Sequence, residues 1–134
     1  MLGTGGGASR VAAGAGPARS AVRTGEKSQL LQHIVVFSTG EKPRAPLEEA
    51  LDRFARGIRS CPEVIDVSWG ENVNPTGLER GYEFVCIATL PTIEAMKGEY
   101  WNHPAHQELL ERLPEVCESR FALDYCASAL EGVA

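Results

Sequence analysis

The sequence predicts an α+β fold of the ferredoxin-like type, with a βαββαβ order, a four-stranded antiparallel sheet and helices on one face of the sheet. Three observations lead to this prediction. Four segments show the apolar runs or the period-two alternation of strands, and two regions show the 3.6-residue spacing of amphipathic helices. These segments follow one another as strand, helix, strand, strand, helical pair and strand.

The first half of the domain is predicted to contain two strands with a helix between them. Residues 32–38 form a short β-branched run that is typical of a buried strand. A helix is expected to begin at Pro46, because proline suits the first helical position, and to end before Pro62. Residues 64–72 alternate apolar and polar side chains, which predicts a second strand with Trp69 on its apolar face.

The second half is predicted to contain a third strand, a pair of helices and a last strand. Residues 82–90 are apolar at nearly every position, and residues 119–127 alternate apolar and polar side chains. Between these strands, Thr92 is expected to cap the first helix. Pro104 is expected to begin the second helix and Pro114 to end it.

The strands at residues 32–38 and 82–90 carry apolar side chains on both faces of the predicted sheet. The helices can cover only one of these faces, so the other must meet a further apolar surface. We expect this surface to be a second copy of the chain, which gives a homodimer. Two sheets packed face to face would form a dimeric α/β barrel with a small enclosed cavity.

Composition predicts one folded domain with unstructured ends. The chain has 134 residues, of which 43% are hydrophobic, and this is enough for a single core. Residues 29–128 are expected to form the domain and residues 129–134 to fray. Residues 1–28 are rich in glycine and alanine, with arginine but no acidic residue before position 26. This composition is typical of a disordered tail, and also of a plastid or mitochondrial transit peptide.

Charge and cysteine content exclude several classes of partner. A net charge of −5 argues against binding to nucleic acid or to an anionic membrane surface. No apolar run approaches the roughly 20 residues that span a bilayer, so no membrane association is expected. The four cysteines include no Cys-x-x-Cys pair, so reduced thiols are expected and a catalytic cysteine is not favoured. We therefore expect a soluble intracellular protein, with the cytoplasm as first choice.

Candidate chemistry is concentrated in the segment Tyr-Trp-Asn-His-Pro-Ala-His at residues 100–106. If Pro104 begins a helix, His106 lies in its first turn, where the helix dipole disfavours the imidazolium ion and favours a neutral base. Tyr100 could then fold back toward His106 as a general acid. The alternative is structural, with histidines that cap the helix and aromatic residues that belong to the core. A zinc site is not favoured, because no thiolate or carboxylate at ligand spacing completes the set.

These residues resemble the stress-responsive A/B barrel domain family, also called the dimeric α/β barrel proteins, over residues 31–127. The resemblance rests on His-Ile-Val-Val-Phe at residues 33–37, Trp-Gly-Glu-Asn-Val at residues 69–73, Gly-Tyr at residues 81–82 and the segment at residues 100–106. It implies a ferredoxin-like fold and a homodimer. It does not imply a single function.

The resemblance also implies roles for particular residues. In a plant polyketide cyclase of this family, a tyrosine and a histidine that align with Tyr100 and His106 are catalytic, and a further pocket histidine aligns with His33. Other members are known as heat-stable or stress-induced proteins. Some members hold Mg²⁺ on backbone carbonyls after the first helix. The aligned positions in this chain are Ile58, Cys61 and Val64.

We therefore expect a small apolar or aromatic molecule to bind in the dimer cavity. His106 would take a proton from a carbon flanked by carbonyl groups, and Tyr100 would hydrogen-bond the developing enolate, as in a polyketide cyclase-like lyase. Further pocket residues are expected to be His33, Trp69, Phe84 and His103. For His33, exposure to solvent at a strand edge is an equal alternative. No cofactor is required, and a structural Mg²⁺ is compatible with the resemblance.

Phe84 also marks a departure from the family. Many members have Gly-Tyr-Thr-His before the third strand, whereas residues 81–84 of this chain are Gly-Tyr-Glu-Phe. Two rival functions therefore stay open on the same fold. One is a non-enzymatic, heat-stable stress-response dimer in which the histidine segment is structural. The other is a cofactor-free monooxygenase.

Overall fold

A four-stranded antiparallel sheet organises the chain. The computed structural model describes residues 30–127. Its strands lie in the order β2-β3-β1-β4, and each neighbouring pair is antiparallel. This order confirms the predicted ferredoxin-like fold. The strands are β1 (Leu31–Ser38), β2 (Asp66–Glu71), β3 (Phe84–Leu90) and β4 (Ser119–Cys126).

Helices connect these strands across one face of the sheet. Helix α1 (Arg44–Gly57) continues into a 3₁₀ turn (Ile58–Ser60). A short helix, α2 (Ile93–Ala95), continues into a π-helical turn (Met96–Tyr100), and helix α3 (Pro104–Val116) follows. Within residues 30–127, no helix is long and apolar enough to cross a membrane. The predicted tail at residues 1–28 and the predicted frayed end at residues 129–134 lie outside the described residues.

The core lies between the sheet and the helices, and the alternation of the strands supplies one side of it. In β1, Leu31, His33 and Phe37 are buried on the helix side, where they face Leu90, Ala88 and Phe84 of β3. Helix α1 covers them with an apolar stripe at helical spacing. The fully buried members of that stripe are Leu47, Leu51 and Phe54.

The opposite face of the sheet is apolar and is not covered by any described helix. Ile34 and Val36 of β1 pair across this face with Leu123 and Phe121 of β4. Phe121, Leu123 and Tyr125 remain exposed by 53%, 43% and 51%. The structure thus agrees with the prediction that the central strands carry apolar side chains on both faces.

Prolines alter two of the predicted helix boundaries. Helix α1 begins at Arg44 rather than at Pro46, because Pro43 already supplies a rigid, extended cap position and Pro46 fits within the first turn. Helix α3 passes through Pro114 and ends at Val116. In the last turn, proline removes only one hydrogen bond, and the N–H of Cys117 still donates to Leu113 at 2.9 Å.

A carboxylate ties the end of β1 to the loop before β3. Glu83 accepts hydrogen bonds from the backbone N–H and the Oγ1 of Thr39, at 2.8 and 3.0 Å. Thr39 is only 1% exposed, so water cannot replace this partner. Glu83, which stands where the resembling family often has threonine, therefore stabilises the connection between β1 and the loop before β3.

We expect Glu83→Ala to lower the free energy of unfolding by about 1–3 kcal/mol, because two donors of the buried Thr39 would lose their acceptor. Glu79→Ala, at an exposed position in the preceding loop, should change it by less than about 0.5 kcal/mol. Urea denaturation of the two variants measures the difference. Equal stability of both would show that Glu83 does not hold the loop.

Candidate active site

The π-helical turn and the proline after it position the segment at residues 100–106. Thr92 caps the preceding helix, where its Oγ1 accepts the N–H of Ala95 at 3.0 Å. The wider turn adds a residue before Tyr100, whose side chain is 2% exposed. Pro104 then begins α3, as predicted, and His106 lies in its first turn. The segment therefore bends at the point that the sequence indicates.

His103 caps α3 and is not among the described residues that line the cavity beside His106. Its Nδ1 accepts the N–H of Ala105 at 3.0 Å, and its Nε2 lies 2.8 Å from the Oγ of Ser60. Because Nδ1 accepts, the neutral ring carries its proton on Nε2 and donates it to Ser60, which in turn donates to the carbonyl of Gly57. His103 is therefore fixed by the helix end, and its predicted role in a pocket of the dimer stays a prediction. The structural alternative describes His103 well, although it does not describe His106.

His106 is held as a neutral base. Its side chain is buried, and its Nδ1 lies 3.0 Å from the carbonyl oxygen of Trp101. A carbonyl can only accept, so Nδ1 carries the proton and Nε2 keeps a free lone pair. Burial lowers the pKa of His106 from its ordinary value of 6.5, although the hydrogen bond to Trp101 acts in the opposite direction. The unprotonated Nε2 is the atom that could accept a proton.

Tyr100 is the neighbouring donor. Its ring centroid lies 5.0 Å from that of His106 and 5.5 Å from that of His33. Burial raises the pKa of Tyr100 above its usual value, so the phenol keeps its proton. Within residues 30–127, no hydrogen bond reaches its hydroxyl group, whereas buried tyrosine hydroxyls usually have a partner. The hydroxyl is therefore available to a bound molecule.

His33 lies inside the fold and not at a solvent-facing edge. It belongs to β1, an interior strand, and is 7% exposed. Its Nδ1 lies 2.5 Å from Oδ1 of Asp124, the residue opposite it on β4. An ionised carboxylate only accepts, so the Nδ1 of His33 donates this hydrogen bond. Of the two alternatives for His33, the structure therefore excludes solvent exposure.

A cavity of about 110 Å³ joins His33, Tyr100 and His106. It lies on the helix side of the sheet, inside one chain. The predicted cavity between two sheets would lie on the opposite face of the sheet, so it would be a separate cavity and stays a prediction. The helix side holds these residues because β1 alternates and His33 shares a face with Leu31 and Phe37. The lining residues are His33, Val35, Phe37, Phe54, Cys86, Tyr100, Trp101, His106, Leu109, Leu110, Leu113, Arg120 and Ala122.

Cys86 is the thiol of this lining, and it is not a nucleophile. Burial raises its pKa to about 12, so the thiol stays protonated at neutral pH. Cys86 acts as a small apolar wall residue, in agreement with the sequence analysis.

Trp69 and Phe84 do not line this cavity, and their predicted role in a pocket of the dimer stays a prediction. Trp69 lies on β2, at the opposite edge of the sheet from β4, and its Nε1–H donates to Oδ1 of Asp52 at 3.2 Å. Phe84 packs against Trp69 with ring centroids 6.1 Å apart, and the guanidinium of Arg44 lies 4.9 Å above its ring. Both aromatic residues join α1 to the sheet.

The carbonyl positions considered for Mg²⁺ form a tight turn after α1. The carbonyl of Ile58 accepts the N–H of Cys61 at 2.9 Å, and the carbonyl of Cys61 accepts the N–H of Val64 at 3.1 Å. Each oxygen keeps a second lone pair, so the turn is compatible with a cation. Within residues 30–127, no group of three or more His, Cys, Asp or Glu side chains could hold a metal. The metal site stays a prediction.

Sequence reasoning missed two kinds of site residue. Asp124 and Arg120 enter the site only through the β1–β4 register, which places them opposite His33 and Phe37. Phe54 contacts both Tyr100 and His106, at 6.1 and 6.0 Å between ring centroids, yet in the sequence it is one member of an ordinary apolar stripe. For Asp124, the sequence offered one signal, which is a charged residue between the apolar Leu123 and Tyr125 of the predicted strand.

Comparison with known proteins assigns the family. A family model described as the stress responsive A/B barrel domain matches residues 31–127. The chain belongs to this family. A curated relative of the A/B barrel domain, olivetolic acid cyclase from Cannabis sativa, is 29% identical over 77 residues, which are 57% of this chain and 75% of that protein.

Solved structures agree with the fold of the A/B barrel domain. Hydroxynitrile lyase from Passiflora edulis has a TM-score of 0.65 at 15% identity, covering 77% of this chain and 97% of that one. A dimeric ferredoxin-like protein of unknown function from Thermobifida fusca has a TM-score of 0.62 at 18% identity, covering 73% and 91%. At these identities the likeness shows the fold alone.

The protonation of His106 can be tested directly. We expect ¹⁵N NMR at pH 7 to show a neutral ring with its proton on Nδ1, and a titration with the pKa below 6.5. Because the unfolded chain would take up this proton first as the pH falls, the stability due to neutral His106 should be lost below about pH 6.5. His106→Gln should remove that part of the pH dependence. A proton on Nε2, or a pKa above 6.5, would contradict the assignment.

Proposed function

We propose that the protein binds a small apolar or aromatic molecule in the cavity beside His106 and Tyr100, and that it acts on this molecule by polyketide-cyclase-like acid–base chemistry. One observation carries the proposal. The unprotonated Nε2 of His106 and the hydroxyl of Tyr100, which has no hydrogen-bond partner within residues 30–127, belong to adjacent rings that line the same cavity. A base and a donor of this kind are what removal of a proton next to a carbonyl group requires.

In this proposal, His106 takes a proton from a carbon flanked by two carbonyl groups. Tyr100 donates a hydrogen bond to the oxygen on which the enolate charge develops. The proton on Nε2 makes an imidazolium, and the carbonyl of Trp101 stabilises it through the Nδ1–H hydrogen bond. The enolate carbon then bonds to a second carbonyl carbon of the same molecule, and the imidazolium returns its proton to the resulting alkoxide.

The surroundings support this chemistry. Phe54, Leu109 and Leu113 form apolar walls, which exclude water and strengthen the hydrogen bond from Tyr100 to a charged oxygen. The volume of about 110 Å³ is somewhat smaller than the engineered apolar cavity of about 150 Å³ that binds benzene, so a ligand with a ring or a short chain would place its apolar end inside and extend outward. Relatives named as a cyclase and a lyase support an enzyme on this fold.

The homodimer is part of the proposal. Phe121, Leu123 and Tyr125 form an exposed apolar row on the open face of the sheet, which a second copy would cover. The structure from Thermobifida fusca is described as dimeric. This row also favours a second candidate function, the non-enzymatic stress-response dimer, because such a protein would need the interface and not the base.

We expect His106→Ala and Tyr100→Phe each to lower turnover by about 10² to 10⁴, because each removes a proton-transfer or hydrogen-bonding group from a cavity that still binds. The substrate class would come from mass spectrometry of molecules that copurify with the protein. Steady-state kinetics on compounds of that class then measures the loss.

His103→Ala is the matched control for these two variants. It removes a histidine three residues from His106 whose hydrogen bonds go to Ala105 and Ser60, outside the cavity. We expect it to lower the melting temperature and to leave kcat within about twofold of wild type at a temperature where the variant is folded. Unchanged turnover in both His106→Ala and Tyr100→Phe would refute the catalytic assignment and favour the non-enzymatic dimer.

The dimer interface has its own test. The double variant Phe121→Lys, Leu123→Lys should be monomeric at micromolar concentration, because burying two ammonium groups in an apolar interface is costly. Val73→Lys, Leu78→Lys adds the same charge at loop positions that are 81% and 64% exposed, and should leave the dimer intact. Light scattering measures the mass of each. A monomeric wild type would show that the open face needs no partner.

A further inference from the structure

The cavity extends to β4, an edge strand of the sheet. On the helix side of this strand, Arg120, Ala122 and Asp124 lie opposite Phe37, Val35 and His33 of β1. All eight residues of β4 are exposed, so no described helix covers this edge of the sheet. Ala122, with the smallest of these side chains, lines the cavity together with Arg120, and we infer that the cavity opens at this point, between Arg120 and Asp124.

The two charges at the entrance are not equivalent. The carboxylate of Asp124 is already paired with His33. Arg120 forms no ion pair with any residue in the range 30–127, and it shares this property with the described residues Arg59, Arg80 and Arg112, none of which lines the cavity. Arg120 is also the one formally cationic residue among those that line the cavity. A cavity lined mostly by apolar side chains therefore has, beside β4, a positive charge with no ion-pair partner among the described residues.

This charge acts on the cavity and not only on solvent. Arg120 contributes, after burial and His33, to the lowering of the pKa of His106. Burial raises the pKa of Cys117, and the charge of Arg120 acts to lower it. In a chain with a net charge of −5, a cation retained next to an apolar site favours an anionic ligand at that point.

We propose that Arg120 is an anion subsite, and that the ligand is a small aromatic or apolar carboxylate with its apolar part inside the cavity and its carboxylate on Arg120. This inference rests on the proposed function of the cavity. The planar guanidinium fork matches a carboxylate with two parallel hydrogen bonds. Arg120 and Asp124 are four residues apart on a strand, about 13 Å, so the bound carboxylate stays away from the like charge of Asp124.

The subsite also orients the ligand. With the carboxylate on Arg120 at the entrance, the uncharged part of the molecule reaches the end of the cavity where His106 and Tyr100 lie. The negative charge of the ligand then does not need to be buried, which would be costly in an apolar cavity. Arg120 is thus a residue that binds and orients, whereas His106 is the base.

The test uses two probes of equal shape and different charge, 4-methylbenzoate and 4-methylbenzamide. Protein-observed NMR titration of the full chain at low salt gives the Kd of each from the shifts of cavity residues. We expect wild type to bind the carboxylate about tenfold more tightly than the amide, and Arg120→Gln to bind the two equally. Arg120→Lys should retain part of the preference, and high salt should reduce it.

Arg59→Gln is the matched control. Arg59 is exposed on the 3₁₀ turn after α1 and does not line the cavity, so the variant loses the same charge elsewhere. We expect its carboxylate preference to equal that of wild type. An equal loss in Arg59→Gln and Arg120→Gln would show a general charge effect and would overturn the subsite.

The remaining outcomes separate this inference from the proposed function. Binding of both probes to wild type with equal Kd would overturn the subsite and leave the apolar cavity as a binding site. If neither probe shifts the NMR signals of the cavity residues, the ligand-binding function is overturned, and the subsite with it. A carboxylate preference that persists in Arg120→Gln would assign the anion to another residue.

Discussion

The hydrogen bond from Nδ1 of His106 to the carbonyl of Trp101 is the interaction on which the site depends. In an unbroken helix this carbonyl would accept the N–H of Ala105. The chain bends at Pro104, and that N–H is donated to His103 instead. The carbonyl of Trp101 is thereby left for the imidazole, and also for the side chain of Gln107 at 2.7 Å. The break in the helix thus sets the tautomer of His106, which leaves Nε2 free as the base.

Burial gives the rest of the site a uniform electrostatic character. Tyr100, Cys86 and His106 are all held in their neutral forms, because the cavity disfavours charge on each of them. Charged side chains occur only toward β4, where Asp124 pairs with His33 and Arg120 has no partner among the described residues. A neutral interior and a charged entrance are suited to a molecule with an apolar body and an acidic group.

The local chemistry of residues 100–106 could be predicted from the sequence, since the positional preference of proline and the properties of a helix N-terminus are local. The element order was equally accessible from periodicity. The position of the cavity was not, because it depends on which face of β1 carries His33 after the helices have packed. For the same reason the sequence did not show that Trp69 and Phe84 lie away from this cavity, since aromatic residues on a strand do not reveal which edge of the sheet they occupy.

The pairing register between β1 and β4 was the other feature that could not be predicted from the sequence. Asp124 and Arg120 lie 91 and 83 residues along the chain from His33 and Phe37, the β1 residues that they face. The π-helical turn that buries Tyr100 also has no clear sequence pattern, apart from the weak helix former Gly98 within it. These features follow from tertiary packing, which no local pattern records.

The central claim is that the cavity beside His106 and Tyr100 holds a small molecule. Native mass spectrometry of the protein from its own cells tests it, by comparing wild type with Ala122→Phe, in which a ring would fill the entrance between Arg120 and Asp124. Leu123→Phe, on the opposite face of the same strand, serves as the control. We predict that wild type and the control release the same small apolar or aromatic molecule, and that Ala122→Phe releases none. Equal retention of that molecule by Ala122→Phe would contradict the claim.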